Sequence, residues 1–158
     1  MSCSDIIAIF NIIVSAGLGV LIATAINKGH TEERFLKEYF TNELNGIKED
    51  CKSFLDEICY DKQNAKDIKI GFKLLSMRIA AFEETLSKAF KNEEIQLSSL
   101  LSKIQMEITG SDDYNSQYKK SSVKFSSEEK NAVLESRSKL LTEFSKSVVS
   151  INKAKIRK

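Results

Sequence analysis

A run of 21 residues, Ile6 to Ile26 (IIAIFNIIVSAGLGVLIATAI), carries no charge and constrains this chain more than any other feature. As a helix it rises roughly 31 Å at about 1.5 Å per residue, close to the roughly 30 Å hydrocarbon core of a bilayer. A buried helix of a small soluble domain would keep a polar face, and this run has no charged one. A cleaved signal peptide fits less well. Ala23-Thr24-Ala25 resembles a cleavage site, but the first five residues hold no Lys or Arg. The run also exceeds the usual apolar core of about 7–15 residues. The expectation is a retained transmembrane helix, with residues 1–27 forming a short external stub and the span. Lys28, Arg34 and Lys37 follow the run and no basic residue precedes it. The positive-inside rule then places residues 28–158 in the cytoplasm, making the chain a single-pass membrane protein.

Asn11, Ser15, Gly19 and Ala23 recur at steps of four within the run. Small residues along such a ridge let two backbones approach closely, and an interhelical bond from Asn11 contributes roughly 0.6–2 kcal/mol. The span is therefore expected to associate with further copies of itself or with another membrane protein, rather than stand as a monomeric anchor. In a ring of copies, Asn11, Ser15 and Thr24 would supply the polar side chains of a lumen. Steps of four drift by about 40° around a helix, which suits a crossing interface better than a straight pore stripe.

Composition frames the remainder. The chain of 158 residues has no Pro, no Trp and only 6 Gly, which excludes collagen-like, Pro-rich and turn-dense all-β classes. With 42% apolar and 29% charged residues it is not disordered on average. After Thr31, with Glu32 and Glu33 as acids suited to a helix start, apolar residues recur at Leu36, Phe40, Leu44, Ile47, Cys51, Phe54 and Ile58. Residues 60–64 read as a turn with Asn64 as the next N-cap. Ile68, Phe72, Leu75, Ile79, Phe82 and Leu86 then form a heptad-like seam. Asn92-Glu93-Glu94 is a candidate start for a further helix carrying Leu97, Leu101, Ile104 and Ile108, so residues 64–109 are one helix or two. Gly110 is placed to end it as a C′ residue. Residues 110–126 are expected to be a loop, the least ordered stretch by composition. Ser126 with Glu129 fits a capping box opening a last helix with Val133, Leu134, Leu140, Leu141, Phe144, Val148 and Ile151. No segment alternates with period two, so no sheet is expected. The fold class is all-α: a transmembrane helix followed by a cytoplasmic bundle of three or four long helices.

Charge divides by helix. Residues 28–59 hold 5 basic and 8 acidic side chains, whereas residues 114–158 hold 11 and 4. That asymmetry favours pairing of the first and last helices, within or between chains. The densest basic cluster is Lys153, Lys155, Arg157 and Lys158, suited to anionic lipid, to a nucleic-acid backbone, or to its own helix dipole.

Chemistry-bearing motifs are sparse. The eight-residue spacing of Cys51 and Cys59 is no metal signature and His30 is the single His, so neither a metal nor a cofactor is expected. No phosphate-cradling glycine loop or nucleophile elbow occurs. Adjacent acids such as Glu83/Glu84 and Glu128/Glu129 point about 100° apart and do not converge. Arg137 stands out in a chain that prefers Lys. It sits one turn before Leu140 and Leu141, where a half-buried Arg pairs with a carboxylate. Glu38, Glu49, Glu83 and Glu84 are the candidates, and Arg78 poses the same question.

A compact helical bundle with Arg137 on its last helix resembles the HEPN class, whose RNase motif is Arg, four to six residues, then His. Here Thr142, Glu143 and Phe144 occupy the positions of that His, so the resemblance implies lost nuclease chemistry. A single span followed by such a degenerate domain also resembles the accessory membrane protein of type VI-B CRISPR systems. That resemblance implies a membrane pore that strengthens antiviral defence. The expected function is thus non-enzymatic: a self-associating single-span protein, with a membrane-tethered adaptor binding a protein partner, or a tethered RNA-binding domain, as alternatives.

Overall fold

The computed structural model describes residues 30–91 and 95–156. It consists of helices α1 (His30–Cys59), α2 (Ala65–Ala89), α3 (Leu97–Gly110), α4 (Asp112–Ser116) and α5 (Ser127–Lys153). A ladder of two short strands, β1 (Phe90–Lys91) and β2 (Lys155–Ile156), completes it. α1 packs on α2 and α5, and α3 packs on the same two helices. The four long helices therefore run up-down-up-down around one core. One pole gathers the start of α1, the end of α2, the start of α3, the end of α5 and the ladder. The opposite pole gathers the α1–α2 turn, α4 and residues 117–126.

The helical stripes place the core. All six seam residues of α2, from Ile68 to Leu86, are buried, as are Leu36, Phe40, Leu44, Ile47, Cys51 and Ile58 of α1. Phe40 centres an aromatic cluster, edge-on to Tyr39, Phe82 and Phe90 at 5.5–5.9 Å. One position departs from the stripe: Leu55 is fully buried and Phe54 is not. Phe54 lies instead across Gly71 of α2 and stands edge-on to Phe72 at 5.0 Å. On α5, Val133, Leu140, Phe144 and Ile151 are buried, whereas Leu134 is 41% exposed and Leu141 and Val148 are half-buried.

Helix ends follow the capping residues. Asn64 Oδ1 accepts from Asp67 N at 2.9 Å and starts α2, after a turn in which Asp61 adopts φ 57°. Asp tolerates that left-handed conformation better than most side chains. Ser126 Oγ accepts from Glu129 N at 3.3 Å, but Ser126 N donates to Asp113 Oδ2 at 2.7 Å, so the box is closed by a residue from α4. α2 and α3 are separate helices, with α3 starting at Leu97; Asn92, Glu93 and Glu94 lie outside the described residues. Gln96 makes no side-chain cap bond there. Glu83 of α2 serves instead, accepting from Ser98 N at 3.0 Å and Ser98 Oγ at 2.5 Å.

Three expectations are corrected. Gly110 is the last residue of α3 rather than a left-handed C′ residue. Ser111 turns the chain to extended backbone and caps α4 by accepting from Tyr114 N. Residues 110–126 are not an unstructured loop: α4 lies within them, and Tyr114, Gln117, Val123 and Phe125 are buried. The described part also contains a sheet, the antiparallel pairing of Phe90 with Ile156 and Lys91 with Lys155. Two residues per strand are too few to show an alternating pattern.

Candidate functional site

The last turn of α1 and the first half of α5 enclose the side chain that the sequence singled out. Arg137 Nη2 donates to Asp56 Oδ2 at 3.1 Å, with the two side chains 20% and 32% exposed. None of Glu38, Glu49, Glu83 and Glu84 is its partner. Glu83 caps α3, Glu84 pairs with Lys88, Glu49 with Lys52, and Glu38 lines a groove at the ladder pole. Arg137 Nε is buried with no hydrogen-bond partner. Beside the pair, Asp61 holds two groups at once. Its Oδ1 accepts from Phe125 N at 3.1 Å and its Oδ2 from Lys130 Nζ at 2.7 Å. The Cys59 thiol near these charges is pushed up by burial first and by Asp56 next, against the pull of Arg137 and Lys130. A thiol shifted that way is a poor nucleophile at neutral pH.

The positions where the RNase histidine would fall do other work. Thr142 Oγ1 donates to Ser138 O within its own helix, Glu143 pairs with Lys146, and Phe144 is in the core. Arg137 is thus neutralised by Asp56, and the cluster clamps α1 to α5 at the turn pole. Among the described residues no group of three or more His, Cys, Asp or Glu side chains is placed to hold a metal ion.

Arg78 builds a second clamp, between α2 and α1. Its Nε and Nη2 donate to Glu43 Oε1 at 3.1 and 2.8 Å, and Nη1 pairs with Asp50. The guanidinium lies over Gly46, where a Cβ would come 3.2 Å from Nη2. Beneath it, the Cys51 thiol is pushed up to about 12, chiefly by burial and then by Asp50.

The ladder pole holds the described part of the basic tail. Lys37 Nζ bridges Glu33 Oε1 at 2.9 Å and the Asn152 carbonyl at 3.1 Å, tying the start of α1 to the end of α5. An open groove of about 730 Å³ runs between them, lined by Arg34, Glu38, Thr41 and Asn42 among others. The Thr41 hydroxyl there is buried without a partner. Lys153 and Lys155 are exposed at this pole, brought by α5 and the ladder to the end where α1 begins. Arg157 and Lys158 lie outside the described residues, as do Asn11, Ser15, Gly19 and Ala23 of the apolar run. Among the described residues no helix is long and apolar enough to cross a membrane.

Sequence reasoning missed Asp56 and Asp61. Asp61 had a signal, since Asp within a tight turn is a frequent left-handed residue. Asp56 had none, being one of several acids on the polar side of α1. Comparison of the chain with protein-family models, curated proteins and solved structures finds no match.

Proposed function

We propose that this chain is a non-enzymatic, single-span membrane protein that self-associates, with its helical bundle held at the inner face of the bilayer. The observation that carries the reading is the uncharged run of residues 6–26 placed just ahead of α1. Support comes from the gathering of exposed Arg34, Lys153 and Lys155 at the pole where α1 starts, charge that favours an anionic leaflet. The ridge of Asn11, Ser15, Gly19 and Ala23 gives the association surface, and the partners are lipid and further copies of the chain. The resemblance to the accessory membrane protein of type VI-B CRISPR systems extends the reading to an oligomeric pore acting in antiviral defence. Full-length protein purified in detergent should run as one large uniform assembly. A monomeric mass at micromolar concentration defeats the proposal. Asn11→Leu should reduce conductance if that side chain faces a lumen.

The adaptor reading is favoured by one feature: the bundle closes its core within a single chain, leaving its outer faces available. A variant lacking residues 1–27 should then stay folded and still capture a protein partner.

A further inference from the structure

The segment expected to be structureless is built in detail, and what it presents to solvent has no use in the fold. Gln117 closes residues 117–124 into a ring: its Nε2 donates to the Lys124 carbonyl at 2.8 Å and its Oε1 accepts from Lys124 N at 3.2 Å. The ring is fastened to the α1–α2 turn by Val123 N to Gln63 O at 2.9 Å and Phe125 N to Asp61 Oδ1 at 3.1 Å. Tyr114 Oη donates to the Ala65 carbonyl at 2.9 Å from below. On this scaffold Lys119, Lys120 and Lys124 are exposed, and their ammonium groups have no hydrogen-bond or ion-pair partner among the described residues.

Three nearby acids are engaged elsewhere. Asp61 holds Lys130, Asp113 holds Ser126 N, and Asp67 holds Asn64. Two tyrosine rings share the pole. Tyr118 is 50% exposed and stands edge-on to Tyr114 at 5.9 Å; Tyr60 is 70% exposed with Lys62 Nζ 5.5 Å from its centroid. The adjoining groove of Asp112, Asp113, Glu128 and Glu129 has the opposite charge, which confines a polyanion to the lysine side.

We infer that the turn pole binds single-stranded nucleic acid, with Lys119, Lys120 and Lys124 on phosphates and the rings of Tyr118 and Tyr60 under bases. Flat exposed aromatics beside unpaired lysines suit a strand whose bases are free to stack. A lipid surface fits less well, because this pole lies about 45 Å, the length of α1, from residue 30. The comparison with lipid rests on the proposed lodging of residues 6–26 in the bilayer; the placing of free ammonium groups beside exposed rings does not.

The test is fluorescence anisotropy of the full chain in detergent with a labelled 20-nucleotide single-stranded RNA of mixed sequence. Affinity should fall with salt with a log–log slope of about −2, as three phosphate contacts on a single strand give. Replacing Lys119, Lys120 and Lys124 together by Ala should cost tenfold or more and flatten that slope. Tyr118→Ala should weaken binding roughly 5- to 150-fold with the slope unchanged, and Tyr118→Phe should restore it. Lys153→Ala with Lys155→Ala should change nothing. Melting curves should show each lysine variant folded, since the three ammonium groups have no partner among the described residues and the backbone bonds to Gln117 survive the change to Ala. Absence of binding at 50 mM salt overturns the inference. So does a loss that follows the Lys153/Lys155 variant rather than the loop, or displacement of the RNA by micromolar dihexanoyl phosphatidylserine acting through the same lysines.

Discussion

Gly71→Ala should destabilise the bundle although Ala is the better helix former. In a helix interior that exchange is worth about 0.8–1.0 kcal/mol in favour of Ala. At Gly71, however, a Cβ would collide with the Phe54 ring, meeting Cζ at 2.7 Å and Cδ2 at 2.9 Å with Cε2 nearer still. The ring also stands edge-on to Phe72 at 5.0 Å, a contact it would disturb by moving. Overpacking of this kind costs about 1–3 kcal/mol, so the net effect is a loss of up to about 2 kcal/mol. At roughly 3–5 °C per kcal/mol for a domain of this size, the melting temperature falls by up to about 10 °C. In a Phe54→Ala background the collision is absent and propensity alone remains. There Gly71→Ala should raise the melting temperature by about 3–5 °C. Thermal melts of the four proteins by far-UV circular dichroism in one detergent provide the cycle, with an expected coupling of about 1–3 kcal/mol. A rise for Gly71→Ala in the otherwise unaltered chain would show that Phe54 swings aside freely, and the packing argument would be refuted.

Asp56→Ala should cost about 1–3 kcal/mol, because it leaves the half-buried Arg137 without its carboxylate; Asp56→Leu combined with Arg137→Met should recover part of that loss in the same melts. Cys51, its thiol pushed up to about 12 chiefly by burial, stays protonated and shielded at pH 8, so native-state alkylation mapped by mass spectrometry should spare it until the bundle unfolds. Glu129 is held above the ordinary carboxylate range by burial and then by Asp113, Glu128, Asp112 and Glu107. A raised carboxyl penalises the folded state where the group is charged, and the penalty fades as pH falls through the raised value. Glu129→Gln should therefore raise the melting temperature at pH 7 and leave it unchanged near pH 3; equal shifts at both would refute the assignment.

Local signals in the sequence carried the helices well. Asn64 and Ser126 cap the helices that their side-chain chemistry predicted, and the α2 seam from Ile68 to Leu86 faces the core at every position. The stripe on α1 departed at one position, residue 54. From Cys51 the buried face takes a step of four to Leu55 and then three to Ile58, where the expected pattern takes three and then four; a 3.6-residue turn permits either order. What the sequence could not show depended on residues far apart in the chain. Composition marked residues 110–126 as loop, yet a few anchors there (Tyr114, Val123 and Phe125) are buried against the rest of the bundle. The partner of Arg137 lies 81 residues away, and no local pattern ranks Asp56 above other acids on α1.

The cap that Glu83 lends to Ser98 makes α3 a dependent element. Its own lead-in residue, Gln96, makes no side-chain cap bond, so among the described residues the cap on the first amides of α3 is supplied by Glu83 of α2. Opening the second half of α2 would withdraw that cap from α3, and hydrogen exchange should report the two segments as one cooperative unit.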